Sequence, residues 1–300
     1  MYRMFVILRH TFFEAIVQPI YSLLLALAAG VIMVFGALPF FTLGEDTVMY
    51  KSVSLDVILL AVLIATLFAT SRSIYEEIED RTMLTLMSKP VRRWQVLVGK
   101  YLGIITAALM AIALLGAILM LCTYLRIPVD HQLRITTFDD RELKELSDRR
   151  WMHLAGLVPS LVLLWFQVSV LAAIGVALST RFSLVVNLPT VILLYVAGNL
   201  TRFLDPDMEV QGRSVVGKAF AWAISTLLPF LQVFDWRDQT IYKPIRVAGT
   251  MFESNPSGVY LSTIWGYVLI AAAYGVAYVT FALAAGMWSF RTRELGGAEG

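Results

Sequence analysis

Residues 76–103 read EEIEDRTMLTLMSKPVRRWQVLVGKYLG, a dense two-signed charge cluster followed by a basic turn, SKPVRR, and they lie between two long apolar runs. Working outward, apolar residues fill 55–74 on one side and 98–125 on the other, each long enough to cross about 30 Å of hydrocarbon as a helix of roughly 20 residues. Four further runs qualify: 21–43, 152–178, 183–203 and 259–290. The whole chain of 300 residues is 58% hydrophobic and 15% charged, with mean hydropathy +0.73, well short of the charge of about 25% that a water-soluble domain carries. In lipid every backbone amide must be paired within its own segment, and runs of this length manage that as helices. The alternation at about ten residues of an outer-membrane barrel is absent. The expected fold is therefore an all-α polytopic membrane protein of six transmembrane helices, forming a single domain over 1–300.

The single cysteine, Cys122, falls inside the third run, so neither a disulfide framework nor a cysteine metal site is expected. A net charge of +2 argues neither for nor against a nucleic-acid partner, but there is no basic tail or aromatic-interleaved basic stretch of the kind that binds one, so no nucleic acid is expected; membrane lipid is the expected surrounding. Arg3 and Arg9 precede an apolar run containing Ala26, Leu27 and Ala28, but that run is too long for a cleaved signal, so the first span is read as retained.

Six spans put both termini on one side. Arg3, Arg9, Arg72, Arg81, Lys89, Arg92, Arg93, Arg181, Arg291 and Arg293 all fall on that side, which the positive-inside rule makes cytoplasmic. The short opposite loop, 44–54, carries Glu45 and Asp46 against Lys51, and the longer outer segments, 126–151 and 204–258, mix both signs. The expected location is the cell membrane.

Three pieces do not span. Residues 1–18 recur in polar groups every three to six positions, predicting an interfacial amphipathic helix broken at Pro19. Residues 219–234 (AFAWAISTLLPFLQVF) are apolar but short and carry Pro229, predicting a re-entrant or interfacial helix before the last span. Residues 139–150 (DDRELKELSDRR) predict a polar helix outside the membrane with Glu145 and Arg149 one turn apart.

The charged loop, 75–97, reads as more than a connector. Glu76, Glu77, Glu79 and Asp80 cluster at the expected start of a helix, where carboxylates suit its dipole, with apolar residues threaded through them. Ser88, Lys89 and Pro90 end that helix. A short helix showing acidic and apolar groups to the cytosol is a docking surface for a soluble partner.

The pattern E-x-E-D-R-T-x-x-x-L-x-S-x-P-V-R-R, ending in LVGKYLG, resembles the first cytoplasmic loop of ABC-2 type (type V exporter-like) permeases. Glu14 shortly before Pro19, the turn STRFS at 179–183, and the broken segment before the last span are similar too; Arg81 stands where that family commonly has Gly or Glu. The resemblance implies a non-catalytic permease subunit of an exporter. Such subunits pair with a second copy or a paralogue and sit on cytoplasmic ATP-binding-cassette subunits that hold the ATP and Mg. It also implies that the loop is a coupling helix, with Glu76, Glu77, Glu79, Asp80 and Arg81 against the ATPase, Thr82 and Leu86 fixing the helix, and Pro90, Arg92 and Arg93 setting its exit.

Two catalytic patterns nearly occur. GRSVVGKA at 212–219 has P-loop spacing but Ala219 where a hydroxyl should bind Mg²⁺, so no ATPase site is read in this chain. Glu76, Glu77 and Arg81 match the E-E-x-x-x-R signature of an intramembrane protease, yet His10, His131 and His153 lack the companion motifs. The spans show no centrally placed charge, unlike an ion-coupled carrier. Gln167, Ser169, Asn187 and Asn199 are the candidate substrate-path groups, weighed against plain interhelical hydrogen bonding. The alternative function class is a membrane anchor, scaffold or assembly factor that holds a soluble partner without transport.

Overall fold

The computed structural model describes residues 2–38, 46–80, 82, 92–132, 140–200 and 229–291. Its helices are α1 (Tyr2–Val17), α2 (Pro19–Ala37), α3 (Asp46–Thr70, continuing through a π-helical stretch Ser71–Glu76 and Glu77–Glu79), α4 (Arg93–Gln132), α5 (Asp140–Ser179), α6 (Leu184–Leu200) and α7 (Leu261–Arg291). Five of these are long and apolar enough to cross a membrane, and α6 is a shorter apolar helix. The fold is all-α and polytopic. Between α6 and α7 lie a 3₁₀ turn, Leu231–Phe234, one helical turn, Arg237–Thr240, and a two-residue parallel pair, β1 (Ile245–Arg246) with β2 (Val259–Tyr260).

Burial sorts the helices into layers. The most apolar stretches of α3 and α5 are 67% buried, against 17% for α2 and 22% for α7, so α3 and α5 form the centre. Leu55, Ile58, Leu59, Val62, Leu63 and Leu67 of α3 are buried over about half its circumference and Ala61, Ala65 and Ala69 widen that face, while Leu60 on the remaining side is exposed. Where helices meet closely, small residues permit it. On α4, a Cβ at Gly103 would fall 2.7 Å from the Leu8 carbonyl oxygen and 2.8 Å from Thr11 Cβ, and one at Gly99 would fall 3.0 Å from Ile7 Cγ2. Those two glycines, one turn apart, seat α1 against α4. Buried tyrosine hydroxyls tie α2 in, Tyr21 donating to the Ala107 carbonyl at 2.9 Å and Tyr50 to the Ile32 carbonyl at 3.2 Å.

Several boundaries differ from the sequence reading, each for a physical reason. The first span ends at Ala37 rather than 43, because Arg126 of α4 donates to the carbonyls of Phe35 (2.9 Å), Gly36 (3.2 Å) and Leu38 (2.9 Å). A guanidinium from another helix thus satisfies the carbonyls that α2 leaves open and complements the negative end of its dipole. The polar segment 139–150 is not a separate helix. From Asp140 it continues directly into α5, and its Glu145–Arg149 pair forms at 3.0 Å. At 40 residues, or about 60 Å, both α4 and α5 extend well beyond the hydrocarbon. The second span begins at Asp46 rather than 55, which brings Lys51 onto the same long helix as Asp56. Of the expected re-entrant stretch 219–234, residues 219–228 lie outside the described residues.

Both described chain ends lie toward the start of α4, α1 packing on Gly99 through Met4 and Ile7 and α7 ending at Arg93. Arg93 at the start of α4 donates to the carbonyls of Phe290 and Arg291, each at 3.2 Å, and Arg181 after α5 donates to Ser289 Oγ at 2.8 Å. Substituting Gly103 tests the α1–α4 seat: Gly103→Ala is expected to lower stability by about 1–3 kcal/mol through overpacking. Gly30→Ala on α2, whose Cβ meets nothing within 4 Å, should be neutral or stabilising by up to about 1 kcal/mol. Thermal unfolding of both variants in the same detergent checks the contrast.

Candidate functional site

At the chain-end face, the structure corrects the placement of the acidic cluster. Glu76, Glu77, Glu79 and Asp80 end α3 instead of starting a new helix, because the π-helical stretch Ser71–Glu76 carries α3 past 74. Carboxylates there oppose the helix dipole, and a cation is needed beside them. Lys100, one turn beyond Arg93–Val96 on α4, supplies it. Its buried ammonium lies 2.5 Å from Glu77 Oε1 and donates to both the carbonyl and the hydroxyl of Ser73, the latter at 3.2 Å. The wider π turn offers the Ser73 carbonyl to a side chain in addition to the backbone.

Opposite the same ammonium stands Glu14 of α1. Burial raises its carboxyl above the ordinary 4.5, attraction to Lys100, then to His10 and Arg72, works against that, and repulsion from Glu77 adds to the rise. Its Oε2 is buried without a hydrogen-bond partner, with His10 Nδ1 at 3.9 Å. Two carboxylates therefore share one ammonium where α1, α3 and α4 converge.

That arrangement divides the acidic cluster. Glu77 faces inward to Lys100, Ile78 is buried beneath it, and Glu76, Glu79 and Asp80 are exposed. Thr82 Oγ1 donates to the Glu77 carbonyl at 3.1 Å, closing the end of the helix. Arg92 has its backbone N–H held by Gln95 Oε1 at 3.2 Å, which caps the start of α4, while Arg93 is spent on the end of α7. Arg81, Leu86 and Pro90 lie outside the described residues.

At the opposite face a cavity of about 650 Å³ opens between α3, α5, α6, α7 and the 229–240 segment. Gln167 and Asn199 line it, as do Asp56, Tyr195, Gln232, Asp235, Arg237, Asp238 and Tyr267. Arg237 holds its wall together, reaching Asp56 Oδ1 at 2.6 Å, Asp235 Oδ1 at 3.3 Å and the Ser52 carbonyl at 3.3 Å. Gln232 donates to the Asn199 carbonyl at 2.8 Å, and Trp236 stacks on Tyr267 at 3.9 Å. Asp56 is thus an ion-paired part of this wall.

Ser169 and Asn187 are not among the cavity's lining residues. Ser169 donates to the Trp165 carbonyl at 2.7 Å and its own carbonyl accepts from Tyr101 at 3.1 Å. Asn187, fully buried, donates to Ser179 Oγ at 2.8 Å and Ser71 Oγ at 3.2 Å, joining α6 to the end of α5 and the start of the π stretch. Among the described residues no group of His, Cys, Asp and Glu is placed to hold a metal ion. Sequence reasoning missed Lys100 as the centre of the chain-end site. Its signal was a cation standing inside an apolar run, after Gly99.

A family model described as ABC-2 family transporter protein matches residues 39–284, from just after α2 to within α7. No curated protein matches the chain.

Removing Glu77 strands the Lys100 ammonium, so Glu77→Gln should cost about 3 kcal/mol, whereas Glu79→Gln at an exposed position should change stability by less than about 0.5 kcal/mol. Glu14 acts with the other sign. Its folded-state carboxyl titrates above 4.5, so its contribution is fully present below that value and is lost as pH rises through the raised one. Glu14→Gln should therefore stabilise the protein at neutral pH, with the difference vanishing as pH falls to about 4.5; thermal unfolding across pH measures both effects.

Proposed function

We propose, from the premise that this chain belongs to the ABC-2 family of transporter proteins and is a multi-pass permease component of an ABC transporter, that it is driven by a separate cytoplasmic ATPase docking on the exposed carboxylates of the α3 end. The observation that carries this reading is the division of the acidic cluster. Glu77 is committed to the bundle through Lys100, while Glu76, Glu79 and Asp80, on the same few residues of helix, are left to the surroundings. A partner that grips those three carboxylates grips an element fixed into α1 and α4.

Coupling then follows from continuity. The helix that ends in the acidic cluster begins at Asp46 and runs 34 residues, about 50 Å, so Ser52 and Asp56 in the far cavity wall and Glu79 at the docking end belong to one rod. Closure of an ATPase against Glu76, Glu79 and Asp80 would tilt or shift that rod. The shift would bear on the Asp56–Arg237 pair and hence on the cavity lined by Gln167 and Asn199. The π-helical stretch, held by Asn187 at Ser71 and by Lys100 at Ser73, is the part of the rod whose hydrogen-bond pattern can change most cheaply.

In this reading the chain hydrolyses nothing itself. ATP and Mg belong to the partner, and the chain-end face, rich in Arg72, Arg92, Arg93, Arg181 and Arg291, is cytoplasmic. Transport is outward, and a second permease copy or paralogue completes the pathway, α2 and α7 offering the apolar surfaces that face lipid or a companion subunit.

Reversing the three exposed carboxylates together, Glu76→Lys, Glu79→Lys and Asp80→Lys, while keeping Glu77, is expected to abolish co-purification of the ATPase and the ATPase activity of the eluate. Membrane insertion and thermal stability should be unchanged. Undiminished association of the reversed protein would overturn the docking assignment.

A further inference from the structure

The 650 Å³ cavity at the face opposite the chain ends carries more acceptors than its own donors can meet. Three carboxylates, Asp56, Asp235 and Asp238, line it against one cation among the described lining residues, Arg237. All three nitrogens of that guanidinium are committed to the wall. Nη2 lies 2.6 Å from Asp56 Oδ1, Nε 3.3 Å from Asp235 Oδ1, and Nη1 donates to the Ser52 carbonyl at 3.3 Å. An ionised carboxylate accepts at two oxygens, so Asp56 and Asp235 each keep one beyond the reach of this pairing, and both side chains are half-exposed. Asp238 is exposed and has no ion pair among the described residues. The amides add to the excess. Gln232 donates through Nε2 to the Asn199 carbonyl at 2.8 Å, and Asn199 through Nδ2 to the Tyr195 carbonyl at 3.0 Å, which leaves an amide oxygen on each.

Gln167 is the decisive residue. It lines the cavity and is only 4% exposed, yet its side chain has no hydrogen-bond partner among the described residues. Ser160, Leu163, Leu164 and Gln167 form the stripe of α5 that borders the cavity, spaced as one helical face. Ser160 at one end of that stripe is closed by its bond to Thr240 Oγ1 at 2.8 Å, and the amide at the other end is open. The polar groups that join helices behave differently: Ser169 and Asn187 are hydrogen-bonded within the bundle. A buried amide without a partner is costly, so one that faces a cavity is placed to meet a polar group inside it. Around these groups Tyr195, Phe230, Trp236 and Tyr267 supply aromatic surface, with Trp236 stacked on Tyr267 at 3.9 Å.

We propose that this cavity binds an organic cation, an ammonium group carried on an apolar or aromatic body. The ammonium meets the oxygens that Arg237 leaves on Asp56 and Asp235, together with Asp238, while the buried Gln167 amide takes a polar group on the body of the ligand. Aromatic rings beside carboxylates suit such a cation twice over, since the face of a ring attracts positive charge and its carbon surface covers the apolar part. A bare metal ion fits less well, because among the described residues no group of His, Cys, Asp and Glu is placed to hold one. The assignment names the class of cargo for the permease proposed above and rests on that reading for transport; the binding itself rests on the cavity alone.

The test is fluorescence polarisation of rhodamine 6G, a cationic dye with N–H donors on an aromatic frame, titrated with the purified full chain in a neutral detergent and with empty micelles as the blank. Fluorescein, which has the same ring frame and a negative charge, is the matched control. Saturable binding of rhodamine 6G and none of fluorescein is expected. Affinity for rhodamine 6G should fall about tenfold in Asp238→Asn, by loss of one charge-assisted hydrogen bond, and about fivefold in Gln167→Leu, by loss of a neutral one. Ser169→Ala, off the cavity, should bind as the parent does. Gln167→Leu removes an unpaired buried amide and should unfold no earlier than the parent, so its weaker binding is not a loss of fold. The assay contains no ATPase, so its outcome is separate from that of the docking test above. Absence of saturable rhodamine 6G binding, equal binding of fluorescein, or unchanged affinity in Asp238→Asn or Gln167→Leu overturns the proposal.

Discussion

A single ammonium organises the chain-end half of this protein. Lys100 stands inside an otherwise apolar stretch of α4, where leaving it without a counter-ion would cost several kcal/mol. Glu77 and Ser73 from α3 must therefore come to it, and Glu14 from α1 shares it at a remove. Meeting those demands fixes α1 across α4 at Gly99 and Gly103, draws the end of α3 onto the bundle and commits the π-helical stretch to its wide turn. The exposure of Glu76, Glu79 and Asp80 is a by-product of the same constraint. With one carboxylate of the cluster turned inward, the neighbouring ones point away.

The opposite face obeys the same rule with arginines. Arg126 closes the carbonyl end of α2, and Arg237 binds the loop before α7 to Asp56 and Ser52 of α3. In each case a cation on one helix answers open carbonyls or a carboxylate on another, since lipid offers no water to do so. α3 is the element common to all three centres. It passes Lys51 and Asp56 near its start and Ser73 and Glu77 near its end, so any displacement at one face is presented to the other through one buried helix.

Much of this was legible beforehand. The apolar runs announced their helices because their length alone matches the hydrocarbon thickness, and the helix α1 with its break before Pro19 followed from polar spacing and the missing proline N–H. The Glu145–Arg149 pair was legible because helical geometry puts residues four apart side by side. The boundaries that misled were those set by distant partners. Nothing local in 21–43 says that α2 stops at Ala37, because Arg126 is 91 residues away from the first carbonyl it caps. Likewise the carboxylates of 76–80 looked like a helix start, and only the π-helical continuation of α3 made them a helix end.

The amino-acid sequence by itself determined the solvent, the helical class, the number of apolar segments and the family, for these depend on composition and on short motifs read in order. The tertiary structure alone decided which polar groups meet: that Gln167 and Asn199 reach a cavity while Ser169 and Asn187 join helices, that Lys100 serves Glu77, and that Arg237 answers Asp56. The physical reason is that an apolar helix facing lipid on one side and protein on the other is apolar on both, so its periodicity does not mark the buried face. The facing of α3 to α7 is set by close packing at small residues and by a few buried charges, and these are pairings across the chain that no local pattern encodes.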